Sequence, residues 1–269
     1  MIQLQSERFA NSYYHKLGEG FPIVLLHGFA EDDRIWDKQI SVFQTLYQVI
    51  IPNIPGTRKS ALPIEKMSME LIADFINEIL IQEKIETCIL FGHSMGGYAA
   101  MAFLEKYAYK LAGLGLVHSS VYSDTEEKKE TRRKGIKILQ EGGKVQFLKA
   151  LIPNIVSPHS KDKCKQEIES HLTSALEISP ESLIAYYEAM LNRPDRSHLL
   201  LNTDLPVFIF AGKDDVAVPV QTSLQQSYLA KHTYFELINR VGHMGMYEAV
   251  DLLNESAIKY VNTVLSKTT

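Results

Sequence analysis

The sequence lacks the residues that mark several large classes of protein. It contains two cysteines, Cys88 in an apolar run and Cys164 in a charged segment. It therefore offers no disulfide framework, and we expect two free thiols in a reducing compartment. Its 28 lysine and arginine residues are outnumbered by 32 aspartate and glutamate residues, which gives a formal net charge of −4. Nucleic-acid-binding proteins usually carry a basic excess, so we expect no nucleic-acid partner.

Signals for targeting, metals and cofactors are equally scarce. Residues 1–8 have neither the basic start nor the long apolar core of a signal peptide. No apolar run approaches the roughly 18 residues of a membrane span, so we expect a cytoplasmic protein with no membrane span. The chain contains no H-E-x-x-H, no paired C-x-x-C and no P-loop, and Gly18-Glu19-Gly20 precedes a strand-like run instead of following one. We expect neither a metal nor a cofactor.

Short apolar runs alternate with amphipathic segments along most of the chain. Continuous apolar runs are typical of strands buried on both faces. The alternation predicts an α/β fold with a mostly parallel central sheet of about eight strands flanked by helices. Two short antiparallel edge strands are expected at Ile2–Gln5 and Ser12–Lys16. The other strands are predicted at Pro22–His27, Tyr47–Ile51, Cys88–Phe91, Gly113–Val117, Val207–Phe210 and Thr233–Ile238, and the helices at Ile35–Leu46, Met69–Glu83, Tyr98–Tyr107, Val220–Leu229 and Met246–Leu265.

Residues 120–202 break this alternation. They contain several helical segments and loop signals such as Gly142-Gly143, but no convincing strand. A stretch of roughly 80 residues is too long for an ordinary crossover connection. The simplest interpretation is an all-helical cap over the carboxyl edge of the sheet, where ligands of open α/β sheets bind. We predict a core domain of residues 1–119 and 203–269 and a cap of residues 120–202.

The segment Gly92-His93-Ser94-Met95-Gly96 is the strongest chemical signal in the chain. It follows an apolar run and precedes a segment of helical composition. A serine held between a strand and a helix has a strained backbone, and glycines two residues before and after it remove the collisions. The free N–H groups at the start of the helix would face any charge that develops at the serine. Ser94 is therefore a candidate nucleophile.

A serine hydroxyl needs a base to take its proton, and the base needs an orienting carboxylate. Of the nine histidines, His243 is the best placed, because it lies in a glycine-containing loop after the last predicted strand. Asp214 and Asp215 both follow the strand at Val207–Phe210 and compete for the carboxylate's role. Asp214 has the alternative roles of capping the next helix or staying solvated, and we favour Asp215.

The order Ser94, Asp215, His243, with the serine in G-x-S-x-G, resembles the α/β-hydrolase fold superfamily. Gly212-x-x-Asp215 is similar to the acid loop of that family, and His243 stands where the family has its base. The resemblance implies that the turn at His27-Gly28-Phe29 forms the oxyanion loop. The backbone N–H groups of Phe29 and Met95 would then stabilise the oxyanion.

One loop departs from the family pattern, with Asn53 where many members carry an acidic residue and Arg58 where a glycine is usual. The turn at Pro55-Gly56 is expected to survive. Arg58 is interpreted as a surface residue, with an influence on the substrate entrance as the alternative. His27 and His93 are interpreted as structural histidines beside the site.

Substrate-pocket residues are defined less sharply by the sequence. His118 ends a predicted strand and either lines the pocket or is a structural histidine. Phe147, Leu148 and Leu151 are cap residues that either fill the cap core or line an apolar acyl pocket. Trp36 is likewise either core or pocket wall. The charge-rich segment 126–134 is predicted to be a solvated cap helix, with phosphate binding as the alternative.

These features favour a serine hydrolase that cleaves a small carboxylic ester, thioester or lactone through an acyl-enzyme. The resemblance points to a capped esterase or enol-lactonase-like branch. The same three residues would serve a C–C bond hydrolase acting on a diketone. A non-catalytic ligand receptor on the same fold is the alternative from another class. The partner in each case is a small molecule, and the sequence leaves the substrate and the oligomeric state open.

Overall fold

The structure, a computed structural model, describes residues 1–267 and is built around one eight-stranded sheet with the order β1-β2-β4-β3-β5-β6-β7-β8. β1 and β2 pair with each other, and β2 with β4, in antiparallel fashion, whereas β3 to β8 run parallel. The predicted fold class and the predicted antiparallel edge are confirmed. The strands are β1 (Ile2–Gln3), β2 (Tyr13–Leu17), β3 (Pro22–Leu26), β4 (Gln48–Pro52), β5 (Cys88–His93), β6 (Leu111–Val117), β7 (Val207–Gly212) and β8 (Thr233–Ile238).

Helices cover both faces of the sheet. In β3, Ile23 and Leu25 enter one buried cluster, whereas Val24 and Leu26 enter the other, because side chains alternate along a strand. The helices are α1 (Asp37–Phe43), α2 (Met69–Gln82), α3 (Met95–Tyr107), α4 (Glu126–Gln140), α5 (Lys144–Leu151), α6 (Lys165–Glu177), α7 (Pro180–Asn192), α8 (Ser197–Leu201), α9 (Val220–Ser227), α10 (Gly245–Glu248) and α11 (Val250–Leu265). Residues of α2 and α3 belong to the cluster of Val24, and residues of α1 and α11 to that of Ile23.

The chain between β6 and β7 forms α4 to α8 and one 3-10 turn, Ile152–Asn154, without a strand. Within this insertion α4 packs against α7, and α5 packs against α6. Two ion pairs tie it to the start of α1, with Lys38 Nζ 2.5 Å from Glu167 and Arg34 2.7 Å from Glu177. The division into a core and a cap of residues 120–202 stays a prediction.

Several helix boundaries differ from the sequence prediction, most clearly those of α3 and of the last predicted helix. α3 begins at Met95, directly after the serine, and not at Tyr98. The predicted helix Met246–Leu265 is divided into α10 and α11 at Ala249, whose φ of −139° is not helical. Among residues 1–267, no helix is both long and apolar enough to cross a membrane.

Candidate active site

Ser94 occupies the turn between β5 and α3 with φ +49° and ψ −115°. Positive φ is uncommon for a non-glycine residue, and the surrounding hydrogen bonds hold it there. The N–H of Ser94 donates to Val117 O at 3.0 Å, and the N–H of Gly97 donates to Ser94 O at 2.9 Å. The strained backbone presents the serine side chain at the carboxyl edge of the sheet.

The two flanking glycines are required by packing. A Cβ atom at Gly96 would lie 2.5 Å from Leu26 O and 2.6 Å from His27 O. A Cβ atom at Gly92 would collide with the backbone of Gly96 and Gly97. The helix that begins at Met95 therefore approaches the β3 backbone more closely than any side chain permits.

Asp215 and His243 form a buried hydrogen-bonded pair. His243 Nδ1 lies 2.9 Å from Asp215 Oδ2 and 3.0 Å from Oδ1. The N–H groups of Ala217 and Val218 donate to Asp215 Oδ1 at 2.9 and 2.8 Å. His118 Nδ1 contributes a further donor at 3.0 Å from Oδ2. These donors fix the carboxylate in one orientation toward the His243 ring.

Asp214 points elsewhere, although it is adjacent in sequence. Its Oδ2 accepts a hydrogen bond from Ser157 Oγ at 2.6 Å, and its N–H donates to Val241 O at 2.9 Å. Of the two aspartates that follow β7, only Asp215 therefore contacts His243.

The electrostatics of this cluster keep Asp215 ionised. Burial alone would raise the pKa of Asp215, but the attraction of His243 and the hydrogen bonds from His118 and His243 outweigh it. They hold the pKa well below its usual range. Burial lowers the pKa of His118 to about 4, so this ring is neutral at pH 7. His118 Nε2 accepts from the N–H of Gly245 at 3.2 Å, which leaves the proton on Nδ1, where it donates to Asp215.

His118, Asp215 and His243 each offer a potential metal ligand, and these atoms lie within 4.8 Å of one another. The hydrogen-bond pattern opposes a metal. His118 Nδ1 and His243 Nδ1 both donate an N–H to the Asp215 carboxylate. A metal ion would instead need a free lone pair on each of these nitrogens. The donor set fits a proton-holding network better than a cation site.

The sequence predicts the backbone N–H groups of Phe29 and Met95 as the donors of an oxyanion hole. Neither donates a hydrogen bond to any of residues 1–267. The loop before Phe29 is fixed by Glu31, whose Oε2 accepts the N–H of Gly28 at 2.6 Å. A Cβ atom at Gly28 would lie 3.1 Å from Ser94 Cβ, which shows how closely this loop packs on the serine. Both N–H groups are thus unpaired, and their role as oxyanion donors stays a prediction.

Ser94 and His243 line one cavity of about 340 Å³, together with Phe29 and Glu31. This volume is near the lower end of the range for small-molecule sites. The Phe29 ring stacks on Tyr187 of α7, with ring centroids 4.2 Å apart. The insertion between β6 and β7 supplies one wall of the cavity, formed by Lys128, Thr131, Arg132, Leu151, Tyr187 and Met190.

Some of the predicted pocket residues line this cavity and others do not. Leu151 lines the cavity. Phe147 packs edge-on against the rings of Phe29 and Tyr187, with centroids 6.4 and 6.0 Å away, one layer from the cavity. His118 is fully buried, both of its ring nitrogens are hydrogen-bonded, and it does not line this cavity.

Two further predicted pocket residues do not line this cavity. Trp36 is 1% exposed and packs in the cluster of α1 and α11, away from the cavity. Leu148 is fully buried among the apolar residues of the insertion. Both are large apolar side chains on helices, and composition alone does not separate a core position from a cavity wall.

His27 contacts the backbone at the start of the loop that departs from the family pattern. His27 Nε2 accepts the N–H of Ile54 at 3.1 Å. Gly56 has φ +102° and donates to Ser60 O at 2.9 Å, so the Pro55-Gly56 turn is present. Arg58 Nε lies 3.1 Å from Asp33 Oδ1, in an ion pair outside the cavity.

Sequence reasoning missed two buried glutamates. Glu31 accepts from His93 Nδ1 at 2.9 Å, and His93 Nε2 lies 3.0 Å from His243 O. Both partners of His93 are acceptors, so the ring is an imidazolium. Burial alone would lower the pKa of His93, but Glu31 and the His243 carbonyl outweigh it and raise the pKa. The attraction of His93 overcomes the opposite effect of burial on Glu31 and lowers its pKa to about 2.

The second glutamate, Glu248, lies in α10. Its Oε2 accepts the N–H groups of Ser157 at 3.0 Å and Gly242 at 2.9 Å, and its Oε1 accepts that of Met244 at 3.0 Å. The carboxylate therefore holds the residues on both sides of His243. The only signal in the sequence was an acidic residue close to a glycine-rich loop, which is too common to be informative.

Comparisons of sequence and of structure both show that this chain is similar to hydrolases. The family model described as alpha/beta hydrolase fold matches residues 22–142. A 2-hydroxy-6-oxononadienedioate/2-hydroxy-6-oxononatrienedioate hydrolase of Paraburkholderia phymatum is 25% identical over 93% of this chain and 90% of its own length. A thermophilic esterase from Thermogutta terrifontis has a TM-score of 0.89 and 26% identity, covering 94% of this chain and 93% of the esterase. The enol-lactonase from Burkholderia xenovorans shares the fold with a TM-score of 0.86 at 16% identity, over 93% of this chain and 96% of the lactonase.

Proposed function

The chain belongs to the α/β-hydrolase superfamily, and from this premise we propose that it is a serine hydrolase acting on small carboxylic esters, thioesters or lactones. One observation carries the proposal. Ser94, on a strained turn, and His243, held by the ionised Asp215, line the same cavity. This is the constellation that nucleophilic acyl transfer needs.

In the proposed mechanism, Ser94 Oγ attacks the substrate carbonyl while His243 Nε2 takes its proton. Asp215 fixes the His243 ring with its proton on Nδ1 and stabilises the imidazolium that forms. The N–H groups of Phe29 and Met95 bind the oxyanion of the tetrahedral intermediate. His243 then protonates the leaving group, and a water molecule activated by the same ring releases the acyl group from Ser94.

We assign the insertion of α4 to α8 the role of a cap over this site, within residues 120–202. The assignment is supported by the cavity wall that Arg132, Leu151 and Tyr187 contribute. It is also supported by the N–H of His243, which donates to Ile155 O at 2.8 Å. A cap with these contacts would shape the substrate pocket and exclude water during acyl transfer.

Hydrolysis of short p-nitrophenyl esters tests the function. We expect turnover by the wild-type protein and a loss of about 10⁴-fold or more in kcat for Ser94→Ala, because removal of the nucleophile leaves only binding and oxyanion stabilisation. Ser41→Ala, at an exposed position on α1, is the matched control and keeps wild-type rates. Undiminished hydrolysis by Ser94→Ala would overturn the assignment.

A C–C bond hydrolase with the same three residues is the second candidate, favoured by the relative from Paraburkholderia phymatum. The oxo-dienedioate in that protein's name contains no ester, so its hydrolysis must break a carbon–carbon bond beside the ketone. Turnover of such a diketone acid with a higher kcat/KM than any ester would select this candidate. The absence of both turnover and reactivity at Ser94 in folded protein would select a non-catalytic receptor.

A further inference from the structure

The cavity wall formed by α4 carries positive charge that the protein does not neutralise. Lys128 and Arg132 lie one turn apart on this helix, and both line the cavity. Arg132 donates to the buried carboxylate of Asp124 from Nε at 2.5 Å and from Nη2 at 3.3 Å. Arg193 donates to the same carboxylate at 2.9 Å. One carboxylate therefore serves two guanidinium groups.

Two cationic donor atoms at this wall have no hydrogen-bonding partner in the described part of the chain. Among residues 1–267, neither Lys128 Nζ nor Arg132 Nη1 has a hydrogen bond or an ion pair. Within residues 1–267, Asp124 is the one carboxylate that forms ion pairs with this group of Lys128, Arg132 and Arg193, so the group has a net positive charge. Uncompensated charge in a partly enclosed cavity is costly without a partner of opposite sign.

Tyr98 lies at the same wall. The Tyr98 ring lies under the guanidinium of Arg193, whose Cζ is 3.8 Å from the ring centroid. Tyr98 also lines the cavity. Burial alone would raise the pKa of Tyr98, but the positive charges of Arg193, Lys128 and Arg132 outweigh it and lower the pKa. Tyr98 and α4 line the same cavity, and the Tyr98 phenol lies in a positive electrostatic potential.

We propose that Lys128 and Arg132 form an anion subsite and that the substrate carries a carboxylate separated from its scissile carbonyl by a short chain. This inference rests on the serine-hydrolase function proposed above. Ser94, His243 and the cationic wall line the same cavity of about 340 Å³, so one small molecule can contact the serine and the wall together. Leu151, Met190 and Val218 offer apolar contacts for the connecting chain.

Two esters with acyl chains of the same carbon number test the subsite. Monomethyl glutarate and methyl valerate differ only in a carboxylate that replaces a methyl group. We expect the wild-type protein to prefer monomethyl glutarate in kcat/KM, mainly through a lower KM. Lys128→Met should reduce this preference by about 10-fold or more, because it removes a charge-assisted hydrogen bond. Increasing NaCl should weaken the preference in the wild type through screening.

Lys129→Met is the matched control. Lys129 lies on the same helix but pairs with Glu126 at 2.7 Å and does not line the cavity, so its loss should leave the preference unchanged. Equal efficiency on both esters, or an equal loss from both variants, would overturn the subsite. Stronger competitive inhibition by inorganic phosphate than by glutarate would overturn the assignment to a carboxylate.

Failure of the proposed hydrolase function is a separate outcome. If neither ester is turned over, calorimetric titration of glutarate into the wild-type, Lys128→Met and Lys129→Met proteins still decides. Binding to the wild type and to Lys129→Met with at least a 10-fold loss in Lys128→Met supports the subsite. Absence of glutarate binding to the wild-type protein contradicts it.

Discussion

At the scale of single residues, the carboxylate of Asp215 organises the candidate site. It accepts hydrogen bonds from the backbone N–H groups of Ala217 and Val218 and from the side chains of His118 and His243. A carboxylate with this many donors is held in one position and stays ionised. It can therefore hold the His243 ring in the tautomer that leaves Nε2 free to accept a proton.

Replacing this carboxylate should impair catalysis far more than folding. For Asp215→Asn we expect a loss of about 10⁴-fold in kcat on p-nitrophenyl esters, because the side-chain amide turns its NH₂ group toward N–H donors that a carboxylate oxygen had accepted and disfavours the catalytic tautomer of His243. Asp214→Asn is the matched control and should stay within about 3-fold of wild type, since its partner is the Ser157 hydroxyl. Equal losses in the two variants would contradict the role given to Asp215.

At the scale of elements, the loop that carries His243 is held by two buried side chains, Glu248 and His93. Glu248 on α10 binds the N–H groups of Gly242 and Met244, which flank the histidine in sequence. The His243 carbonyl accepts a hydrogen bond from His93, the last residue of β5. The loop has no regular structure of its own, so these side chains supply the rigidity that a catalytic base requires.

Removal of the Glu248 charge should loosen this loop. In Glu248→Gln the side-chain amide faces backbone N–H groups that the carboxylate had accepted. We expect a loss of about 1–3 kcal/mol in the free energy of unfolding, measured by urea denaturation, together with a lower kcat. Glu255→Gln on the exposed face of α11 is the control and should change neither quantity. A stable Glu248→Gln protein with wild-type kcat would refute the anchoring role.

Some features of this site can be predicted from the sequence, whereas others depend on contacts between residues far apart in the chain. The turn at Ser94 is readable from the sequence, because the strand, the two glycines and the helix are local to one another. The contacts of Glu248 are not, since Ser157 lies 91 residues away. Arg132 lies on a charge-rich helix of a kind that is usually exposed to solvent. The Arg132 side chain is largely buried because α4 packs against α7, which the sequence does not show. Trp36 was ambiguous because helical apolar residues look alike in a core and in a pocket wall.

At the scale of the whole molecule, the parallel sheet brings distant loops together. The turn after β3 carries Phe29, that after β5 carries Ser94, that after β7 carries Asp215 and that after β8 carries His243. Parallel strands end at one edge, so four segments spread over the chain meet in one cleft. The buried ion pair of Glu31 with His93 joins the first of these loops to the last.

This ion pair should make the stability of the whole protein depend on pH. The pKa of His93 is raised above its unfolded value of 6.5. Its contribution to the free energy of unfolding is therefore complete below pH 6.5 and is lost as the pH rises through the folded-state pKa. We expect urea midpoints to fall across this alkaline window in the wild type and to be flatter in His93→Gln. An unchanged pH dependence in His93→Gln would show that His93 is not the titrating group.

The central claim is that Ser94 is an activated nucleophile, and chemical labelling tests it most directly. Folded protein treated with a fluorophosphonate should gain one covalent adduct by intact-mass measurement, and peptide mapping should place it on Ser94. The label should be absent from Ser94→Ala and strongly reduced in His243→Ala, because the hydroxyl then lacks its base. An unlabelled wild-type protein with a native unfolding transition, or an adduct on another residue, would contradict the account.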